Sequence, residues 1–142
     1  MRETIELWIL NDAGICLFNY NPTTNTDLTL FSGFLSAINA FGETITQQRI
    51  QNIDFVSESF VFHHDPSTRL LFIARAPRTY SDKQIRDKLE STAKEFITKY
   101  SKDELRGWIG SDSYFEDFTP DMEIILENIT EKEIEAEKEV NY

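Results

Sequence analysis

Cysteine is nearly missing from this chain of 142 residues, where Cys16 stands alone. One thiol excludes an intramolecular disulfide and a cysteine-based zinc site. Its place in the apolar run 15–18 marks it as a buried structural residue, because cysteine ranks among the most buried residue types. Five Gly and four Pro are too few for a collagen-like or low-complexity chain. Positive charge is scarce as well: 14 Lys and Arg face 25 Asp and Glu, for a net charge of −11. Nucleic-acid binding needs clustered cations that displace counterions from phosphates, so no nucleic-acid partner is expected. Anionic membranes are disfavoured for the same reason. No apolar stretch approaches the roughly 20 residues that cross a bilayer, so no transmembrane segment is expected. The opening MRETIELWIL carries two acids and runs straight into a polar turn, which is not a secretory signal. A cytoplasmic protein is the expectation, and Asn128-Ile129-Thr130 then matches a glycosylation acceptor by chance.

Apolar material is plentiful. Hydrophobic residues make up 40% of the chain and aromatics 13%, with eleven Phe. A chain of this length buries roughly 68–70% of the surface it exposes when unfolded, enough for one real core. Acidity gathers at the end: 116–142 hold ten acids and two lysines. The expected organisation is one domain over 1–131, with 132–142 as an acidic C-terminal tail. The tail reads as a solvated segment or as a contact for a basic partner.

Thr4–Leu10 and Ile15–Tyr20 are rich in β-formers, and the polar turn Asn11-Asp12-Ala13-Gly14 between them predicts a hairpin. Asn21-Pro22-Thr23-Thr24-Asn25 then breaks the strand. From about Asp27, a plausible N-cap, the period changes. Phe31, Phe34, Leu35, Ile38, Phe41 and Ile45 recur at three- and four-residue spacing, which predicts a helix with these residues on one face. Gly42 lies near its C-terminal end, and Ser32, Ser36 and Asn39 are expected on the other face. Three strands follow: Arg49–Val56, Ser59–His63 and Arg69–Ala76, the last so continuously apolar that cover on both faces is expected. Ser81 with Gln84 three residues on resembles a capping box. Ile85, Leu89, Ala93, Phe96 and Tyr100 then mark a long amphipathic helix. Residues 101–119 read as an ordered connection. Thr119-Pro120 fits an N-cap and first helical position, and Met122, Ile125, Leu126 and Ile129 supply the stripe of a third helix. The order β-β-α-β-β-β-α-α predicts an α/β (α+β) chain with a five-stranded mixed or antiparallel sheet inside a three-layer α/β/α sandwich.

This order, with LWILNDAGICLFNY for the hairpin, LFSGFLSAINAFGETI for the first helix and RLLFIARA for the last strand, resembles the longin domain of membrane-traffic proteins and the related roadblock proteins. Roadblock domains usually begin with a helix. Thr4 already lies in a predicted strand, so longin is the better fit. The resemblance implies a scaffold for small Ras-like GTPases, their regulators or vesicle-traffic assemblies, paired through a helix or a sheet edge as a homo- or heterodimer. After Ile129 there is no heptad region and no anchor, so a SNARE role is not expected.

Catalytic motifs are missing. No phosphate loop, dinucleotide fingerprint or nucleophile elbow occurs, and Gly107-Trp108-Ile109-Gly110 reads as a loop. His63-His64-Asp65 invites a metal or general-base reading. Neighbouring residues on a strand point to opposite faces, however, so the two imidazoles do not share a ligand readily. The expectation is a protein without catalytic activity and without cofactor or metal. The runner-up is a small-molecule sensor of the PAS or GAF type, which would carry an internal pocket. Two regions are candidates for partner binding. One is the first helix, apolar beyond a single stripe at Leu28, Leu30 and Ala37 beside Phe34, which fits either plain core packing or a dimer- or GTPase-facing surface. The other is Arg49, Gln51 and Ile53, on a strand that would either join a partner sheet or carry charges that prevent such joining.

Overall fold

A computed structural model describes residues 5–21, 28–108 and 114–126, and the backbone alone at 28–30. Strands β1 (Glu6–Leu10) and β2 (Cys16–Tyr20) lead to helix α1 (Leu28–Thr46). Then come β3 (Asn52–Asp54), β4 (Glu58–His64), β5 (Leu71–Pro77), helix α2 (Asp82–Lys99) and the short helix α3 (Lys102–Gly107). A 3-10 turn at Glu116–Phe118 passes into a helix, α4, over 119–126. The sheet has five strands in the order β2-β1-β5-β4-β3, and each pairing is antiparallel. Of the mixed or antiparallel sheet expected, the antiparallel form is realised.

The hairpin turn closes as its residues suggest. Asn11 Oδ1 accepts from the Ala13 and Ile15 backbone N–H, each at 3.0 Å, and Gly14 takes the positive φ of 80° that favours glycine. β1 and β5 lie centrally and alternate strictly. Leu7, Ile9, Phe72 and Ala74 face one way, towards α2, Phe115, Phe118 and Met122. Trp8, Leu10, Leu71 and Ile73 face the other way, towards Phe31 and Leu35 of α1. One helix on one face and the remaining helices on the other give the expected three layers. The exception to the apolar run of β5 is Arg75, whose Nε and Nη2 donate to Glu58 at 2.8 and 3.1 Å, with Glu6 at 3.8 Å. The fork satisfies a guanidinium that burial would otherwise penalise.

Local signals set the helix ends. Gln84 N–H donates to Ser81 Oγ at 3.1 Å, and Ser81 N–H donates to Gln84 Oε1 at 2.7 Å, so the predicted capping box forms. The same device, Ser101 with Glu104, starts α3 inside the stretch read from sequence as a connection. Gly107 is the last residue of α3 and Trp108 its cap, while Ile109 and Gly110 lie outside the described residues. Thr119 is not an N-cap, for its backbone is already helical. The turn begins earlier because Phe115 and Phe118 are drawn in against Phe96, at ring distances of 5.4 and 5.1 Å. The expected cap Asp27, the break at 22–25, and Ile129 with the acidic tail lie outside the described residues.

Helix α1 departs from expectation in which side it turns inward. Leu35 and Ser32 are each 2% exposed, whereas Phe34, Phe41 and Ile45 stand 57%, 66% and 65% exposed. Ser36 and Asn39, expected outside, are half-buried. The reason is close approach. A Cβ on Gly14 would lie 2.7 Å from Ser36 Oγ, and one on Gly42 would lie 2.7 Å from Ile50 Cγ1. Only small side chains fit where the helix meets the hairpin turn and Ile50. Gly42 therefore serves this crossing and not the helix end, which closes beyond Thr46 on Gln47 at φ 57°.

Candidate partner-binding surface

At about 100° of rotation per residue, Phe34, Phe41 and Ile45 fall within about 40° of one another and about 100° away from Leu35. Phe31 and Ile38 lie between the two directions and are half-buried. Ala37 is exposed beside this row. The result is a helix with two apolar stripes, one spent on the sheet and one turned to solvent.

The outer stripe does not end with the helix. Phe34 meets Phe31 at a ring distance of 6.4 Å, Phe31 meets Phe60 at 6.0 Å, and Phe60 meets Phe55 at 5.8 Å. Phe55 and Val56 form the tip between β3 and β4 and are 53% and 97% exposed. Together the five exposed side chains present on the order of 600 Å² of mainly apolar surface, at the top of what monomers usually leave open.

β3 is the sheet edge beside this surface. Gln51 C=O accepts from Phe62 N–H at 2.9 Å, and Phe55 N–H donates to Glu58 C=O at 2.8 Å. Alternation in an antiparallel ladder therefore turns the backbone of Gln51 and Ile53 inward and that of Asn52 and Asp54 outward. Gln51 C=O also accepts from Arg86 Nη2 at 3.2 Å, which ties the edge to α2. The Ile53 side chain packs against the α1-side core. Arg49 is exposed, 3.7 Å from Glu43. Of the residues singled out in the sequence, Phe34 and Ala37 share the outer face of α1, while Arg49, Gln51 and Ile53 lead into and along β3. The side chain of Leu30 lies outside the described residues. Sequence reasoning missed Phe41 and Ile45 as surface residues, together with Phe55 and Val56. The dipeptide Phe55-Val56 before Ser57 was the available signal, since two large apolar residues at a hairpin tip have little to pack on.

The histidines separate as strand geometry requires. His63 lies against Phe72, 6.1 Å between ring centroids, on the α2 side. His64 turns to the other side, half-buried, with Nε2 enclosed and without a hydrogen-bond partner. Burial holds its pKa below the ordinary value, and the charge of Arg49 adds to this. Burial pushes the Cys16 thiol up to about 11, which makes it a poor nucleophile. Among the described residues no helix is long and apolar enough to cross a membrane.

Sheet order, layers and helix placement make this a three-layer α/β/α sandwich on a five-stranded antiparallel sheet, the architecture expected from the sequence. No protein-family model matches the chain, and no curated protein matches it. Among solved structures, MglB of Myxococcus xanthus is similar, with 16% sequence identity and a TM-score of 0.47 over 66% of this chain and 83% of that one.

Proposed function

We propose that this chain is a non-enzymatic protein–protein interaction module whose working surface is the outer face of α1 with the adjoining β3–β4 tip. The observation that carries the reading is the outward row Phe34, Phe41 and Ile45, joined through Phe31 and Phe60 to Phe55. Keeping these groups in water costs free energy that burial against a partner would recover. The two outward residues of β3 offer a short ladder beside it, which favours a partner that brings a strand edge as well as an apolar helix. A second copy of this chain has both and is the preferred occupant. The longin resemblance suggests the wider setting: a scaffold or regulator of small Ras-like GTPases, or a vesicle-traffic-like assembly, with a GTPase or another longin or roadblock subunit as the further partner.

The test is the mass of the full chain in solution, by native mass spectrometry and light scattering, alone and with small GTPases in either nucleotide state. A species of twice 16.6 kDa, lost in a Phe34→Glu, Phe41→Glu double variant, supports the reading. A strict monomer at every concentration, indifferent to every GTPase tried, overturns it.

A further inference from the structure

At the opposite end of β4 from the Phe55–Val56 tip, two turns and α3 enclose a cleft of about 560 Å³. The β1–β2 turn contributes Asn11 and Asp12, the β4–β5 turn contributes 66–70, and α3 contributes Lys102 and Arg106, with Trp108 beyond it. We propose that this cleft is a binding site for a phosphate-bearing small molecule, held by Arg69, Lys102 and Arg106.

Three observations converge on it. The first is charge. In a chain of net charge −11, three cations line one cleft with Asp12 as the only acid among the lining residues. Among the described residues the ion pairs employ Arg49, Arg75 and Lys99, and none within 4 Å involves the three cleft cations. Three like charges gathered against one acid repel one another, and an added anion relieves that.

The second is the backbone at Arg69. It sits at φ 60°, a left-handed position that a hairpin loop ordinarily gives to Gly or Asn. The turn is locked in that shape: Asp65 C=O accepts from Arg69 N–H at 2.8 Å, and the Asp65 carboxylate accepts from Thr68 N–H and Ser67 Oγ, each at 2.8 Å. A cheaper residue was available for the turn, and the one present supplies a guanidinium to the cleft.

The third is rigidity. Asn11 closes the first turn through its two N–H contacts, the Ser101 capping box fixes the start of α3, and Leu105 and Trp108 anchor α3 on the core. The frame is thus set before a ligand arrives. Its volume falls in the range of small-molecule sites. Two guanidinium forks and an ammonium suit the several oxygens of a phosphorylated compound better than a single carboxylate.

The probe is inorganic pyrophosphate, titrated into the full chain and followed by amide chemical shifts. Saturable shifts are expected at 11–12, 67–70 and 102–108. Arg69→Gly relieves the left-handed residue, so its melting temperature should hold or rise while affinity falls about tenfold or more. Lys102→Gln with Arg106→Gln should abolish saturation, and Lys94→Gln, outside the cleft, should leave it unchanged. The proposal is overturned if pyrophosphate produces no saturable shifts there. It is equally overturned if sulfate binds as well as pyrophosphate, or if Arg69→Gly binds as tightly as the parent chain.

Discussion

Replacing Phe41 with alanine separates what α1 does for the fold from what it does for a partner. Phe41 is 66% exposed. A Phe side chain buries about 200 Å² when fully covered, which leaves about 130 Å² for a partner to remove from water. At about 25 cal/mol per Å² this is worth about 3 kcal/mol per copy. In a two-fold dimer the change enters twice, so full coverage corresponds to about 6 kcal/mol, or on the order of 10⁴ in dissociation constant. Half coverage still gives about a hundredfold. The monomer should scarcely notice, with unfolding free energy within about 0.5 kcal/mol of the parent. Leu35→Ala is the counterpart on the same helix. Leu35 is 2% exposed, and its truncation should cost about 2–5 kcal/mol in urea unfolding. Sedimentation equilibrium reads association and circular dichroism reads stability. If Phe41→Ala self-associates as the parent does, the outer stripe is not the contact and the reasoning fails.

Gly42→Ala places a Cβ where 2.7 Å separates it from Ile50 Cγ1; overpacking at this crossing should cost about 1–3 kcal/mol despite the better helix propensity of Ala, and a stabilised variant in urea titration would refute the close approach. With its pKa near 11, the Cys16 thiol should be about one part in a thousand thiolate at pH 8, so disulfide-reagent labelling should be slow in buffer and fast in denaturant. His64 should make stability fall in acid: the folded state keeps its pKa below 6.5 through burial and then the Arg49 charge. The unfolded chain therefore binds the proton first, and its share of stability is whole above pH 6.5 and drains as pH drops towards the folded value. Urea midpoints across this window should flatten in His64→Gln, and an unchanged slope would rule out the assignment.

The strands and the two long helices were legible because each is a one-dimensional signal. β1 and β5 carry runs of β-formers, Asn11 and Gly14 write their own turn, and Ser81 with Gln84 writes the start of α2. The Ser101–Glu104 box is equally present in the letters, but it stands in a short segment without an apolar stripe to mark the helix that follows. The candidate surface was legible only in part. Phe34 and Ala37 were identified, yet Phe41 and Ile45 were assigned to the same inner face as Leu35. Periodicity reports that a helix has apolar sides without reporting which side meets the sheet.

By itself the sequence determined the order of the strands and the two long helices, the two-faced sheet and the three layers, because hydrophobic alternation and turn chemistry act over a few neighbouring residues. Only the tertiary structure decided that α1 would press Ser32, Ser36 and Gly42 inward and leave Phe34, Phe41 and Ile45 in water. It also decided that Arg69, Lys102 and Arg106, from turns and a helix far apart in the chain, would line one cleft. Both outcomes depend on how closely separate elements approach in space, a distance that no local pattern of residues encodes.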